Sequence, residues 1–112
     1  MNKALFVSVN GEFEVRDFDY ESEYSVVSGA VGGYIERIYL PKQGVCLWVN
    51  EEGKLRDLEL NTYGTALWAN NYGLTDWIAG DIIITGDTDS EGYSLGLSEA
   101  QLALLTNGEV IN

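Results

Sequence analysis

The chain contains no histidine and only one cysteine, Cys46, among its 112 residues. Without histidine it lacks the commonest general base, the usual partner of a nucleophilic serine or cysteine, and the commonest transition-metal ligand. A single cysteine excludes an internal disulfide and any zinc site built from several cysteines. We therefore predict that the protein is not an enzyme and holds no metal and no cofactor.

Basic residues are also scarce. Lysine and arginine total 6 against 18 acidic residues, which gives a formal net charge of -12. A surface of this charge repels nucleic acid and anionic membrane, and it attracts basic surfaces. Basic surfaces in cells are commonly those that hold DNA or RNA. We therefore expect a protein partner with a basic surface, and no direct contact with nucleic acid or membrane.

Long apolar runs are absent too. No run approaches the roughly 20 residues that a membrane-spanning helix needs, and the opening Met1–Leu5 lacks the apolar segment of a signal peptide. These absences predict a cytoplasmic protein. Hydrophobic residues nevertheless make up 46% of the sequence and aromatic residues 12%. This composition predicts one folded domain over residues 1–112.

The local patterns predict an α+β domain with a mostly antiparallel sheet and two or three short helices. Asn10-Gly11 is the preferred dipeptide of a type I′ hairpin turn, and Asn50–Gly53 predicts a second hairpin. The run Asp81–Thr85 is so apolar that we expect it in the middle of the sheet. The other predicted strands are 5–9, 13–15, 34–40, 45–49 and 54–60.

Three helices are predicted from periodicity and capping residues. Residues at helical spacing, ended by Gly32-Gly33, predict a helix over 20–31. Asn61 is the expected cap of a helix over 62–69, and Ser98 with Gln101 forms a capping box for a helix over 98–106. The spacing places Tyr20, Tyr24, Val27 and Val31 on one face of the first helix.

Asp87–Gly92 is similar to the opening of a calcium-binding loop, with oxygen ligands at alternate positions followed by glycine. The last ligand position of such a loop should be a bidentate glutamate, but it is Ser98 here. The segment is also preceded by a predicted strand. An acidic strand-to-helix connection explains it better.

A third of the acidic residues lie in one stretch, Gly11–Tyr24, which contains a single cation, Arg16. Side chains on one face of a strand repeat at about 6.6 Å, close to the spacing of phosphates along a nucleic-acid strand. The stretch is therefore a candidate partner-binding face that mimics DNA, and its binding would be sensitive to salt. An ordinary solvated face is the alternative. The candidate residues are Glu12, Glu14, Asp17, Asp19, Glu21 and Glu23.

A series of motifs in a fixed order resembles a domain-of-unknown-function family of small proteins from bacteriophages, plasmids and actinobacterial mobile elements. The motifs are Val31–Glu36, Val49–Leu55, Leu60-Asn61, Ile78–Ile84 and Leu97–Glu99. The matching landmark positions are Gly33, Glu36, Asn50, Glu51, Gly53, Asn61, Gly80 and Asp81. Turn geometry explains the glycines and asparagines. Glu36, Glu51 and Asp81 are not explained in this way, so they are the landmark residues for which a functional role should be considered.

The resemblance implies an accessory protein that acts in the cytoplasm of a bacterial host. Two hypotheses follow. The first is a non-enzymatic binding protein that blunts host defence by occupying a basic surface of a host protein. The alternative is a sponge that traps a small nucleotide immune signal in an aromatic-lined pocket, and a homo-oligomer stays open under both. The side chains available to a sponge are Tyr34, Tyr39, Trp48, Tyr63, Trp68, Tyr72, Trp77, Arg37, Lys54 and Arg56.

Overall fold

The computed structural model describes residues 2–108, which form five strands and three helices. Every neighbouring strand pair is antiparallel, in the order β2-β1-β5-β4-β3, so the predicted α+β class is confirmed. The strands are β1 Asn2–Val7, β2 Phe13–Phe18, β3 Ile35–Leu40, β4 Val45–Asn50 and β5 Ile82–Gly86. The helices are α1 Glu23–Val31, α2 Thr62–Tyr72 and α3 Glu99–Thr106.

Strand β5, the last of the five described strands along the chain, lies at the centre of the sheet between β1 and β4. Ile83 and Ile84 are both 0% exposed. Their side chains point to opposite faces of the sheet, and both faces are covered. The prediction that this apolar run is a central strand is confirmed.

The helices cover the two faces of the sheet unequally. On one face, Leu5, Leu47 and Ile84 pack with residues of α2 and α3, including Leu102. On the other face, Ala4, Trp48 and Ile83 pack against α1. The domain therefore has three layers, with β2 and β3 as the free edges of the sheet.

The predicted strand over 54–60 is wrong, and so is the hairpin at Asn50–Gly53. Residues 51–57 form consecutive turns. Within the predicted strand, β-pairing is limited to an isolated bridge between Leu60 and Ala79. The turns are closed by the buried Gly53, whose N–H donates to the carbonyl of Asn50 and whose own carbonyl accepts from the N–H of Leu58. Strand β4 pairs with β3 and β5 instead.

The first hairpin forms where it was predicted, but its turn is not type I′. A type I′ turn needs positive φ at both central residues. Gly11 has φ +81°, but Asn10 is not among the non-glycine residues with positive φ, which in the described part of the chain are Asp57 and Asn107. The loop is longer than two residues because Ser8 donates to the carbonyl of Glu12 and also accepts from Gly11.

Helix α1 begins at Glu23, three residues later than predicted. Asp19 and Ser22 hold the preceding turn, since each backbone N–H donates to the other's side chain. Tyr20 lies before the helix, so the predicted shared face does not include it, and Tyr20 and Tyr24 are 63% and 62% exposed. The buried residues of α1 are Val27, Ala30 and Val31.

The predicted caps of the other helices are confirmed. Asn61 accepts a hydrogen bond from Gly64 N–H at the start of α2, and Ser98 and Gln101 form the capping box of α3. Helix α2 continues to Tyr72, beyond the predicted end at residue 69. Gly73 follows with φ +77° and ends it.

Candidate binding cavity and acidic surface

The acidic stretch, residues 12–23, follows the edge strand β2 and the turn into α1. It does not form a uniform row of free carboxylates. Glu14 pairs with Arg16 at 2.7 Å, and Asp17 pairs with Lys3 at 3.1 Å. Glu14 and Asp17 lie on opposite faces of the strand, because side chains alternate.

Two further carboxylates of the stretch hold backbone in place. The Asp19 carboxylate accepts the backbone N–H of Ser22. This hydrogen bond is the main reason why the pKa of Asp19 lies below its usual value. Glu23 accepts both the N–H and the hydroxyl of the buried Ser94, at 2.9 and 3.0 Å. The carboxylates of Glu12 and Glu21 make no hydrogen bond or ion pair with the described residues.

Asn61, one of the landmark positions, is a buried structural residue with 0% exposure. Its side-chain oxygen accepts from Gly64, and its amide donates to the carbonyls of Val7 and Gly80. The single side chain therefore ties the start of α2 to β1 and to the entry of β5. Gly80 has φ +87°, which favours glycine at that entry.

Asn50 has a comparable structural role at the end of β4. Its amide donates to the carbonyl of Val31, and its side-chain oxygen accepts from the N–H of Glu52. A Cβ atom at Gly33 would lie 3.0 Å from the Asn50 amide nitrogen. The close approach of the Asn50 side chain therefore accounts for a glycine at position 33. Both landmark residues have a structural explanation that involves no ligand.

Asp81 and Gly53 also have structural explanations. The Asp81 carboxylate accepts the N–H of Val9 at 2.9 Å, which holds the first hairpin loop against β5. A Cβ atom at Gly53 would lie 3.1 Å from the carbonyl oxygen of Ala79. Among the landmark positions, the side chains of Glu36 and Glu51 remain without a structural explanation in the described part of the chain.

Glu36 and Glu51 line the same cavity, which we call the Trp77 cavity. It measures about 420 Å³ and lies between β3, β4, the 51–58 loop, α2 and the segment before β5. This volume falls within the range of about 300–1,000 Å³ that is usual for ligand sites. The full lining is Glu36, Ile38, Val49, Asn50, Glu51, Gly53, Lys54, Leu55, Trp68, Asp76, Trp77, Ile78 and Ala79.

One cation lines the Trp77 cavity, and it is already paired. The Lys54 ammonium donates to the Asp76 carboxylate and lies 4.2 Å from the centre of the Trp77 ring. The hydrogen bond from Lys54 is the main reason why the pKa of Asp76 lies below its usual value. Glu36 and Glu51 form no hydrogen bond or ion pair through their carboxylates with other described residues. The cavity therefore carries unpaired negative charge beside an aromatic wall.

The aromatic residues considered for a nucleotide sponge do not converge on one pocket. Trp68 and Trp77 line the Trp77 cavity with Lys54, whereas Tyr34 and Arg56 line a separate shallow cavity beside α1. Trp48 is buried and donates to Thr85. Tyr63 packs on Phe13 and donates to the Leu105 carbonyl, and Tyr72 donates to the Tyr39 carbonyl.

Two of the three carboxylates in the segment similar to a calcium loop, those of Asp87 and Asp89, bind the chain itself. Asp87 accepts the N–H of Thr88 and faces Arg37 at 3.5 Å. Asp89 accepts the N–H groups of Glu91 and Tyr93. Over residues 2–108, no three acidic or cysteine side chains group in a way that would hold a metal ion.

The fold and cavity define a small three-layer α+β domain with an acidic surface and a tryptophan-walled cleft. The chain belongs to the family described as a domain of unknown function, DUF3846, whose model matches residues 1–108. No curated protein and no solved structure matches the chain. None of the helices in the described part of the chain is long and apolar enough to cross a membrane.

Proposed function

We propose that this protein is a non-enzymatic binding protein that occupies a basic, nucleic-acid-binding surface of a host protein, in the manner of a DNA mimic. The observation that carries the proposal is the surplus of unpaired negative charge. The net charge is -12, and four of the six cations are already paired with carboxylates within the described residues. Such a surface attracts basic partners over a distance and releases them as salt is added.

The setting we propose is the cytoplasm of a bacterial host, where the protein counteracts a defence system. The resemblance of its motifs to small proteins of phages and plasmids supports this setting. A defence nuclease has a basic surface where it grips DNA. An acidic protein that covers this surface competes with DNA directly, and no catalytic residue is required.

A nucleotide sponge is the second candidate, because two tryptophans and a lysine line one cavity. Tryptophans stack well on nucleobases, but a phosphate group also needs cations or backbone amides. Glu36, Glu51 and Asp76 line the cavity with Lys54, so carboxylates outnumber cations there. This charge balance favours the protein partner over the nucleotide.

The proposal is tested by reversing the two unpaired acids of the acidic stretch in the variant Glu12→Lys/Glu21→Lys. The matched control is Glu59→Lys/Glu91→Lys, which changes the net charge equally elsewhere on the exposed surface. Tagged proteins are used to capture partners from host lysate, with duplex DNA and salt as competitors. We expect wild type and control to capture the same partner, and the reversed variant to lose it.

Capture of the same partner by the reversed variant, with the same salt dependence, would contradict the role of the acidic stretch. Small molecules released from the purified protein by heat are measured by mass spectrometry in parallel. A nucleotide present in a one-to-one ratio would favour the sponge. Its absence, together with loss of capture, supports the binding protein.

A further inference from the structure

The Trp77 cavity has the features of a site for a cationic side chain. Trp77 and Trp68 form aromatic walls, and three carboxylates line the same space. An ammonium or guanidinium group over a tryptophan ring is stabilised by the ring's electron-rich face. A neighbouring carboxylate adds a charge-assisted hydrogen bond. Both contacts are available in this cavity.

Lys54 demonstrates this chemistry within the chain. Its ammonium group lies over Trp77 and pairs with Asp76, so one cation occupies one side of the cavity. The side chains of Lys54 and Asp76 are 42% and 39% exposed. Ion pairs at this exposure contribute little to stability, and a competing cation displaces them at small cost. The contact is therefore exchangeable.

The two remaining carboxylates can accept a second cation. Glu36 lies on β3 opposite Val49, and Glu51 follows the end of β4, so both carboxylates belong to one end of the sheet. Because no described residue neutralises them, they keep the cavity negative even with Lys54 in place. A planar guanidinium can pair with a carboxylate through two parallel hydrogen bonds while it stacks on tryptophan.

We infer that the Trp77 cavity binds an arginine side chain from a basic segment of the protein partner. This inference rests on the proposed function, because it takes the partner to be a basic protein. The rim supports a peptide as the source of the arginine, since Leu55 and Trp77 are 88% and 52% exposed. Exposed apolar side chains around a cavity pack against the residues that flank an anchoring side chain.

The test uses the peptide acetyl-Gly-Arg-Leu-Gly-amide and a matched peptide with uncharged citrulline in place of arginine. Binding is followed by the indole ¹⁵N–¹H signals of the labelled protein, assigned with Trp68→Phe and Trp77→Phe variants. We expect the arginine peptide to shift the Trp77 signal and the citrulline peptide to leave it in place. In the variant Glu36→Gln/Glu51→Gln, affinity should fall about tenfold, which corresponds to about 1.4 kcal/mol.

The control variant is Glu52→Gln/Glu59→Gln, which removes the same charge from exposed positions outside the cavity. It should retain nearly the wild-type affinity. Equal loss in both double variants, equal shifts with citrulline, or no shift with arginine would each overturn the inference. The variant Glu12→Lys/Glu21→Lys should bind the arginine peptide with the affinity of the wild type, because the acidic stretch lies outside the cavity. The peptide test of the cavity and the capture test of the proposed function can therefore fail independently.

Discussion

The acidic stretch and the Trp77 cavity are both rich in carboxylates, but they differ in what those carboxylates do. In the stretch, Glu14, Asp17, Asp19 and Glu23 have partners within the chain. In the cavity, carboxylates from distant parts of the sequence meet two tryptophans, and two of them lack partners. The density of acids along a sequence therefore predicts surface charge. Unpaired charge in a concave, aromatic environment is what distinguishes the Trp77 cavity from the stretch.

Acids with partners inside the chain should contribute to stability, and acids without such partners should not. The largest loss of stability is expected for Glu23→Ala. This change leaves the N–H and hydroxyl of the buried Ser94 without their acceptor. We expect the free energy of unfolding to fall by about 1–3 kcal/mol in urea titrations. Glu21→Ala is the control, and it should change stability by less than about 0.5 kcal/mol. Equal losses in the two variants would remove the distinction within the stretch.

A smaller effect concerns Asp19 and Asp76, one carboxylate from each region. The pKa of each lies below the unfolded value, so each stabilises the fold above that value, and this contribution is lost as the pH falls through the folded pKa. The main causes differ, since Asp19 depends on Ser22 and Asp76 on Lys54. We therefore expect Lys54→Gln to raise the pKa of Asp76 and leave that of Asp19 unchanged.

Carboxyl carbon signals recorded against pH by NMR measure this difference directly. Parallel movement of both pKa values in Lys54→Gln would indicate a general charge effect. In that case the two regions would respond to the net charge of the protein, and the local contact between Lys54 and Asp76 would not be the cause.

No effect is expected from calcium, which extends the comparison to a third acidic segment, Asp87–Gly92. The carboxylates of Asp87 and Asp89 already accept backbone N–H groups. We expect the melting temperature to stay unchanged when millimolar calcium is added. A rise of several degrees that disappears in Asp87→Ala would show that the segment binds the ion.

The sequence predicts the parts of the fold that depend on local chemistry. The apolar run of β5 and the caps Asn61 and Ser98 were identified because burial and capping leave a direct residue pattern. The strand over 54–60 was wrong because Leu58 and Leu60 imitate period-two alternation. The close packing of Gly53 against Ala79, at the point where the chain turns, is a tertiary contact that no local pattern contains.

The site is predictable only in part for the same reason. Glu36, Glu51 and Asp81 could be singled out from the sequence as candidate functional residues, but Asp81 accepts the N–H of Val9 and has a structural role. Glu36 and Glu51 line one cavity with Trp68 and Trp77 because α2 and the segment before β5 pack beside β3 and β4, and the sequence does not reveal this packing. The acidic stretch was the most visible feature of the sequence. The internal partners of four of its six acids only became apparent in the fold.

Lys54→Gln gives the most direct test of the claim that the Trp77 cavity is a site for cations. Removal of the internal ammonium frees Asp76 and the Trp77 ring, so we expect the arginine peptide to bind about two- to fivefold more tightly, as a cation–π contact of about 0.5–1 kcal/mol implies. Lys42→Gln controls for the loss of one exposed positive charge. Weaker binding of the peptide by Lys54→Gln than by Lys42→Gln would contradict the account.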